Sequence, residues 1–352
     1  MSKILFVMHG MGVHGADWSQ PVLAKLDEVA ARYAEFQGGS PALSARVKLV
    51  PITYDNVFQG LLQQWDNSAT ALKTFITQNG IAVDTLTDWL QGASQTEGNF
   101  FWSHVVDVLL YRFFDITKSE VRTRVLSQLV DKLTEEMTGG NIVEASVLTH
   151  SLGTSVAHDC LAHLGANPID GNEAFMAKNF RFNNFFMVAN VGRVLETHPP
   201  VYQSCVEPMS ADPNKAYCDR YYNFRHQFDP FPAVRAFKPQ NWGGDYRPTE
   251  NLKHFHEFNV HGYLHYLDHP AVHVPIIRGL LGPVIDSGEL QQALHDYPDI
   301  TLPDHCSNAL QHMQQQHQQL VAQCQNGTDV QQFIIAGIKA LAAVKEAVDA
   351  CH

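Results

Sequence analysis

One stretch, Asn141 to Gly165, restricts what this chain can fold into more than any other. Asn-Ile-Val-Glu-Ala-Ser-Val-Leu, from Asn141 to Leu148, is a short apolar and β-branched run after the turn signal Gly139-Gly140. That is the pattern of a strand buried on both faces of a parallel sheet. Beyond it, Val156, Cys160, Leu161 and Leu164 recur at helical spacing, which predicts a helix over Thr154 to Leu164 closed by Gly165 as a C′ glycine. Only Thr149-His150-Ser151-Leu152-Gly153 joins the two. So short a passage from strand to helix forces a sharp turn that lifts the Ser151 hydroxyl to the sheet edge. The N–H of Leu152 is then left at the positive end of the helix. The pentapeptide by itself also reads as a serine N-cap; the strand and helix on its flanks are what favour a nucleophile.

A second apolar run opens the chain. Lys3 to Met8 reads as a buried strand, and His9-Gly10-Met11-Gly12 follows as a glycine-punctuated loop. Such a loop can bring main-chain N–H groups close to a substrate oxygen, because glycine interposes no side chain. The ordinary alternative is a strand-ending turn.

These residues resemble the α/β-hydrolase superfamily, in particular esterases and lipases with a His-Gly oxyanion loop and a His-Ser-x-Gly elbow. The resemblance spans roughly residues 3 to 275, with His9, Gly10, Gly12, His150 and Gly153 as supporting motif positions. It implies an α/β fold: a mostly parallel sheet flanked by helices. It also implies Ser151 as nucleophile and the N–H groups of Met11 and Leu152 as the oxyanion hole. Thr149 stands where the pattern has its first glycine, which predicts slightly looser packing at the elbow.

A serine hydroxyl needs an imidazole base, and the imidazole needs a carboxylate to hold its tautomer. In this superfamily the acid follows the serine and the histidine comes last. Phe185 to Ala189 and Tyr221 to Gln227 read as successive strands, and Asp229 lies just past the second, before Pro230. Asp229 is the expected acid. Asp219, preceding its strand, and Asp245, in a Gly-Gly-Asp loop, are the alternatives. A final strand is expected over Phe255 to Val260, with His261 at its end as the base and His265 as the alternative.

His254, His256, His261, His265, His269 and His273 crowd this region. A metal reading exists, since His261, His265, His269 and His273 recur every four residues, but Pro270 argues against one continuous helix. Val260 also stands where a zinc-protease HExxH motif beginning at His256 would need its second histidine. The preferred reading treats the additional histidines as surface and hydrogen-bonding residues, with neither metal nor organic cofactor required.

Between the second strand, near Arg46 to Tyr54, and the serine strand lie roughly 85 residues, far more than one crossover helix requires. A helical insertion at about 55–140 is expected. Thr117-Lys-Ser-Glu120 resembles a capping box for a crossover helix whose face is Val121, Val125, Leu129 and Leu133. Trp65, Trp89, Phe100, Phe101 and Trp102 suit an apolar cap over the serine and suit anchoring of the inserted helices equally. The hydrolase-like core is therefore expected over 1–284. A helical extension over 285–352, ending in a hairpin about Asn326-Gly327, would pack on the core or on a second copy.

The net charge of −12 disfavours nonspecific nucleic-acid binding. No amino-terminal targeting run precedes the first strand, and Asp107 and Arg112 interrupt the apolar stretch Val105 to Phe114. Six cysteines without a CxxC pair fit a reducing compartment. The expectation is a cytoplasmic serine hydrolase that cleaves a small-molecule carboxylic ester through an acyl-enzyme. An acyltransferase or thioesterase with the same three residues is an alternative, and so is a catalytically silent binding module of the same fold.

Overall fold

The computed structural model describes residues 2–10, 15, 17–57, 115–138, 140–166, 173–175, 179–193, 206–210, 212, 216–227, 229, 231–232, 236–254, 260–297 and 315. In chain order these form β1 (Ser2–Met8), α1 (Ser19–Ala30), α2 (Leu43–Arg46), β2 (Lys48–Ile52), α3 (Asp115–Met137), β3 (Val143–His150), α4 (Leu152–Ala166), β4 (Phe182–Val188), β5 (Cys218–His226), β6 (Asp245–Leu252), α5 (Tyr263–Asp268), α6 (Pro270–Leu281) and α7 (Ser287–Asp296). The six strands make one sheet in the order β2-β1-β3-β4-β5-β6, and every pairing is parallel. The protein is thus α/β, with helices covering both faces.

Alternation along the strands explains the two layers. Ile4, Phe6 and Met8 of β1 join Val121, Val125, Leu129 and Leu133 of α3 and Val156, Cys160, Leu161 and Leu164 of α4 in one core. Leu5 and Val7 point the other way, into a core with Val22 and Leu26 of α1 and Val272, Ile276 and Ile277 of α6. A strand apolar at every position must be covered twice, which a parallel sheet between helix layers achieves. Burial of each Val, Leu, Ile, Phe or Met side chain among them contributes on the order of 1.5–3 kcal/mol.

The strand order reverses direction at β1. From there the chain runs outward to β2 on one side and through β3 to β6 on the other, so the carboxyl ends of β1 and β3 flank the switch point at which open parallel sheets bind ligands. The His9 loop and Ser151 follow directly from those two strand ends.

Several local expectations change. Asp245 opens β6 instead of lying in a loop, and Asp219 lies within β5. β6 reads Asp-Tyr-Arg-Pro-Thr-Glu-Asn-Leu and is an edge strand, half-exposed and tolerant of Pro248, so it carries little apolar alternation. The strand expected over 255–260 falls largely outside the described residues, and Val260 itself is in a turn. The second strand is shorter than expected, because Arg46 closes α2. Thr117 does not cap α3: the helix already includes Asp115, and Thr117 is buried within its first turn. A cap preference of about 1 kcal/mol is outweighed by that packing. Gly165 is not a terminator either, since α4 continues to Ala166; glycine costs a helix only about 1 kcal/mol. Pro270 does break the helical run, as expected, and His269 caps α6 by accepting from the Ala271 N–H at 3.0 Å.

Most of the expected insertion (residues 58–114), with its five aromatics, and the expected carboxyl-terminal hairpin lie outside the described residues. Among the described residues no helix is long and apolar enough to cross a membrane.

Candidate functional site

Ser151 sits between the last residue of β3 and the first of α4, with a φ of 51°. A non-glycine residue in this left-handed region costs on the order of 1–3 kcal/mol, and such strain persists only where the surroundings enforce it. Here they do. The Ser151 N–H donates to the Val188 carbonyl at 3.0 Å. The Ser151 carbonyl accepts from the Thr154 N–H at 2.9 Å and the Thr154 hydroxyl at 2.7 Å. Thr154 Oγ in turn accepts from the Val191 N–H at 3.1 Å.

Two glycines admit the neighbouring loop. A Cβ on Gly153 would lie 2.5 Å from the His9 carbonyl oxygen, and one on Gly10 would lie 2.9 Å from Ser151 Cβ. The His9 loop therefore packs directly on the elbow. It is held there by the Tyr54 hydroxyl, which donates to the His9 carbonyl, and by the His9 ring. His9 Nδ1 donates to the Gly10 carbonyl at 2.8 Å, Nε2 lies 3.2 Å from Asp55 Oδ1, and the ring stacks on Tyr54. Met11 and Gly12 lie outside the described residues. Leu152 opens α4, so its N–H is among the four that a helix leaves without an intrahelical acceptor.

Three side chains from three separate segments meet at the elbow. His261 Nε2 is 2.8 Å from Ser151 Oγ, and His261 Nδ1 is 2.8 Å from Asp229 Oδ2. Because a carboxylate only accepts, Nδ1 carries the proton and Nε2 is left to accept from the serine hydroxyl. Asp229 lies three residues beyond β5 and His261 two residues before α5, so each is fixed by the end of a regular element. Ser151 is 1 %, His261 6 % and Asp229 0 % exposed. Charge inside such a site is poorly screened, so the orientation of each donor matters more than it would at the surface.

The sequence did not point to Tyr266 or Phe231, which brace the carboxylate, and named His150 only as a supporting motif position. The Tyr266 hydroxyl donates to Asp229 Oδ2 at 2.8 Å while accepting from the His226 N–H at 2.9 Å. The Phe231 N–H donates to Asp229 Oδ1 at 3.1 Å. Both carboxylate oxygens are thereby occupied. Burial and the adjoining Asp229 charge push the Tyr266 phenol well above its ordinary range, so it stays a donor. His150 Nε2 donates to the His261 carbonyl at 2.6 Å, and its ring stacks on Tyr263. Thr149 is fully buried with its hydroxyl on Met187 Sδ, so the elbow is not loosely packed as its departure from glycine suggested. Threonine is accommodated because its hydroxyl has a partner on the adjacent strand.

The alternatives separate cleanly. Asp219 and Asp245 lie on β5 and β6, and His265 lies within a buried group formed with His226 and His254 while His261 is on Ser151 Oγ. One ring nitrogen from each of these three buried histidines lies within 4.8 Å of the others, yet the His254 and His265 rings stack in parallel and the ring nitrogens bond main-chain carbonyls, an arrangement that does not fit a metal. The extra histidines His254, His265 and His273 are hydrogen-bonded as expected but buried instead of lying at the surface. His273 bonds Tyr33 Oη at 2.6 Å and the Leu267 carbonyl at 2.9 Å.

A buried serine with an imidazole on its hydroxyl, a carboxylate on the imidazole and a helix N-terminus beside it has the parts for acyl transfer: a proton acceptor, its orienter and an anion site. No protein-family model and no curated protein matches the chain.

Proposed function

We propose that this chain is an α/β-hydrolase-like serine hydrolase that cleaves a carboxylic ester through an acyl-enzyme. The observation that carries the proposal is the unbroken pair of 2.8 Å contacts from Ser151 Oγ through His261 to Asp229. The order of serine, acid and histidine along the chain, each following a strand of one parallel sheet, supports the same reading.

In this reading the substrate carbonyl lies beside Ser151 Oγ, and His261 Nε2 takes the serine proton as the oxygen attacks. Asp229 orients the ring and stabilises the imidazolium. The Leu152 N–H and the field of α4 act on the developing oxyanion, joined by the Met11 N–H in the arrangement that the resemblance implies. Nε2–H then protonates the leaving alcohol, the acyl-enzyme remains on Ser151, and a water activated by His261 releases the acid. Acyl transfer or thioester hydrolysis would use the same three side chains with a different acceptor or leaving group.

A fluorophosphonate probe followed by peptide mass spectrometry tests this. Labelling should fall on Ser151, vanish in Ser151→Ala and drop by roughly four orders of magnitude or more in His261→Ala. A silent binding module is the second reading, favoured by the 1 % exposure of Ser151. A folded wild-type chain that neither takes the probe nor releases p-nitrophenol from short acyl esters would decide for it.

A further inference from the structure

We propose that Asp55 holds His9 as an imidazolium, so that a fixed positive charge backs the loop beside Ser151 and tunes the anion site. The charge stands on geometry alone, while its effect on chemistry rests on the proposed hydrolase. His9 follows β1 directly, and Asp55 lies three residues beyond β2, the strand paired with it. The sheet therefore delivers both side chains at its carboxyl edge, next to the elbow. His9 is 1 % and Asp55 8 % exposed.

Counting protons gives the charge. His9 Nδ1 lies 2.8 Å from the Gly10 carbonyl oxygen, and Nε2 lies 3.2 Å from Asp55 Oδ1. A carbonyl and a carboxylate only accept, so both ring nitrogens carry a proton, and a ring protonated twice is a cation. His261 and His273 differ. Each faces one acceptor and one hydroxyl that can donate, so a single proton suffices. Moving the second proton of His9 to Asp55 would leave a neutral pair, but an imidazole is a stronger base than a carboxylate by roughly two to three pKa units. Stacking on the Tyr54 ring, with centroids 4.2 Å apart, favours the cation further.

Among the described residues, the titratable groups packed on the ring are Asp55 and Tyr54, both following β2. Trp18, just before α1, stands edge-on at 4.9 Å, and on the α4 side the His9 carbonyl meets Gly153, which has no side chain. Asp55 is thus the carboxylate that sets the charge.

The location gives the charge a use. His9 grips the carbonyl of Gly10, and a Cβ on Gly10 would lie 2.9 Å from Ser151 Cβ. A peptide is planar, so holding its carbonyl also fixes its N–H. The N–H of that peptide is the second oxyanion donor in the arrangement that the resemblance implies. A charged donor on the carbonyl polarises the peptide and makes its N–H a stronger donor. His9 and Asp55 act through the loop and are positioning residues.

The test uses the full chain with histidine labelled at its ring nitrogens. In wild type at about pH 8, above the ordinary histidine pKa, magnetic resonance should show a histidine with two protonated ring nitrogens. That signal should vanish in His9→Gln and change in Asp55→Asn. Asp55→Asn keeps the shape and offers an amide N–H to Nε2, so it retains a contact and removes the charge. His9 should then carry one proton and the melting midpoint should move little. Fluorophosphonate labelling of Ser151 should slow about tenfold or more, with the binding of the probe unchanged. A brace that works only by packing predicts wild-type labelling in Asp55→Asn, and that result overturns the proposal. A singly protonated His9 in wild type overturns it as well. If wild type takes no probe, the hydrolase reading fails while the spectrum still decides the charge. If Asp55→Asn does not fold, the wild-type spectrum decides alone.

Discussion

The close packing of the His9 loop on the serine elbow makes Gly153→Ala the most exacting perturbation of this site. The added methyl would meet the His9 carbonyl oxygen at 2.5 Å and Met8 Cβ at 3.2 Å, whereas ordinary contact begins near 3.4 Å. Relieving the shorter contact (3.4 − 2.5) takes about 0.9 Å of main-chain movement. Neither neighbour is the free end of a flexible side chain, and the Tyr54 bond to the same carbonyl resists the shift. Overpacking of this kind costs roughly 1–3 kcal/mol. Alanine's greater helix propensity offsets at most about 1 kcal/mol, and less at the second residue of α4 than in a helix interior. Net destabilisation of about 1–2 kcal/mol should lower the melting midpoint by roughly 2–8 °C. The effect on chemistry should be larger, because displacement by about 1 Å of a group lining the anion site can reduce the rate by on the order of a hundredfold. Calorimetry and the second-order rate of fluorophosphonate labelling measure the two effects. Gly243→Ala is the control, since a Cβ there meets nothing within 4 Å. A Gly153→Ala protein with wild-type midpoint and labelling rate would refute the reasoning.

Two further outcomes follow from the surroundings of the site. Tyr266→Phe removes both the donor to Asp229 and the acceptor of the His226 N–H, so it should cost roughly 1–3 kcal/mol in chemical denaturation and slow labelling about tenfold or more, while Tyr263→Phe, whose hydroxyl bonds only the Leu148 carbonyl at 3.3 Å, should keep most of the rate. His158, fully buried against the Tyr221 hydroxyl, has its pKa lowered by burial to about 3. The unfolded chain therefore binds the extra proton first: this contribution to stability is whole above about pH 6.5 and is lost progressively as pH falls toward 3. The wild-type melting midpoint should decline from pH 6.5 to pH 4.5 more steeply than that of His158→Gln; parallel curves would count against it.

What could be read without coordinates was whatever short-range pattern encodes. Ile4 to Met8 and Phe185 to Ala189 are apolar at consecutive positions, and the run before Thr149 is mostly apolar and β-branched, which predicts strands covered on both faces. Val121, Val125, Leu129 and Leu133 mark a helix face by spacing. The elbow was legible because strand, serine and helix are contiguous, Asp229 because its place after a strand narrowed the choice, and His261 through its order along the chain, the strand expected just before it lying largely outside the described residues. β6 was not legible, since an edge strand with one solvated side needs no apolar alternation. The helix start assigned to Thr117 and the helix end assigned to Gly165 did not hold, because each rested on a local preference of only about 1 kcal/mol.

The sequence by itself determined a parallel α/β sheet and the segment that presents Ser151, because those follow from the period of side chains along one stretch of backbone. Only the tertiary structure decided that His261 meets both Ser151 and Asp229, that Tyr266 and His150 hold them, and that His226, His254 and His265 converge. These are contacts among residues up to 111 positions apart. The ends of strands and helices place such groups, and no local spacing records where those ends come together.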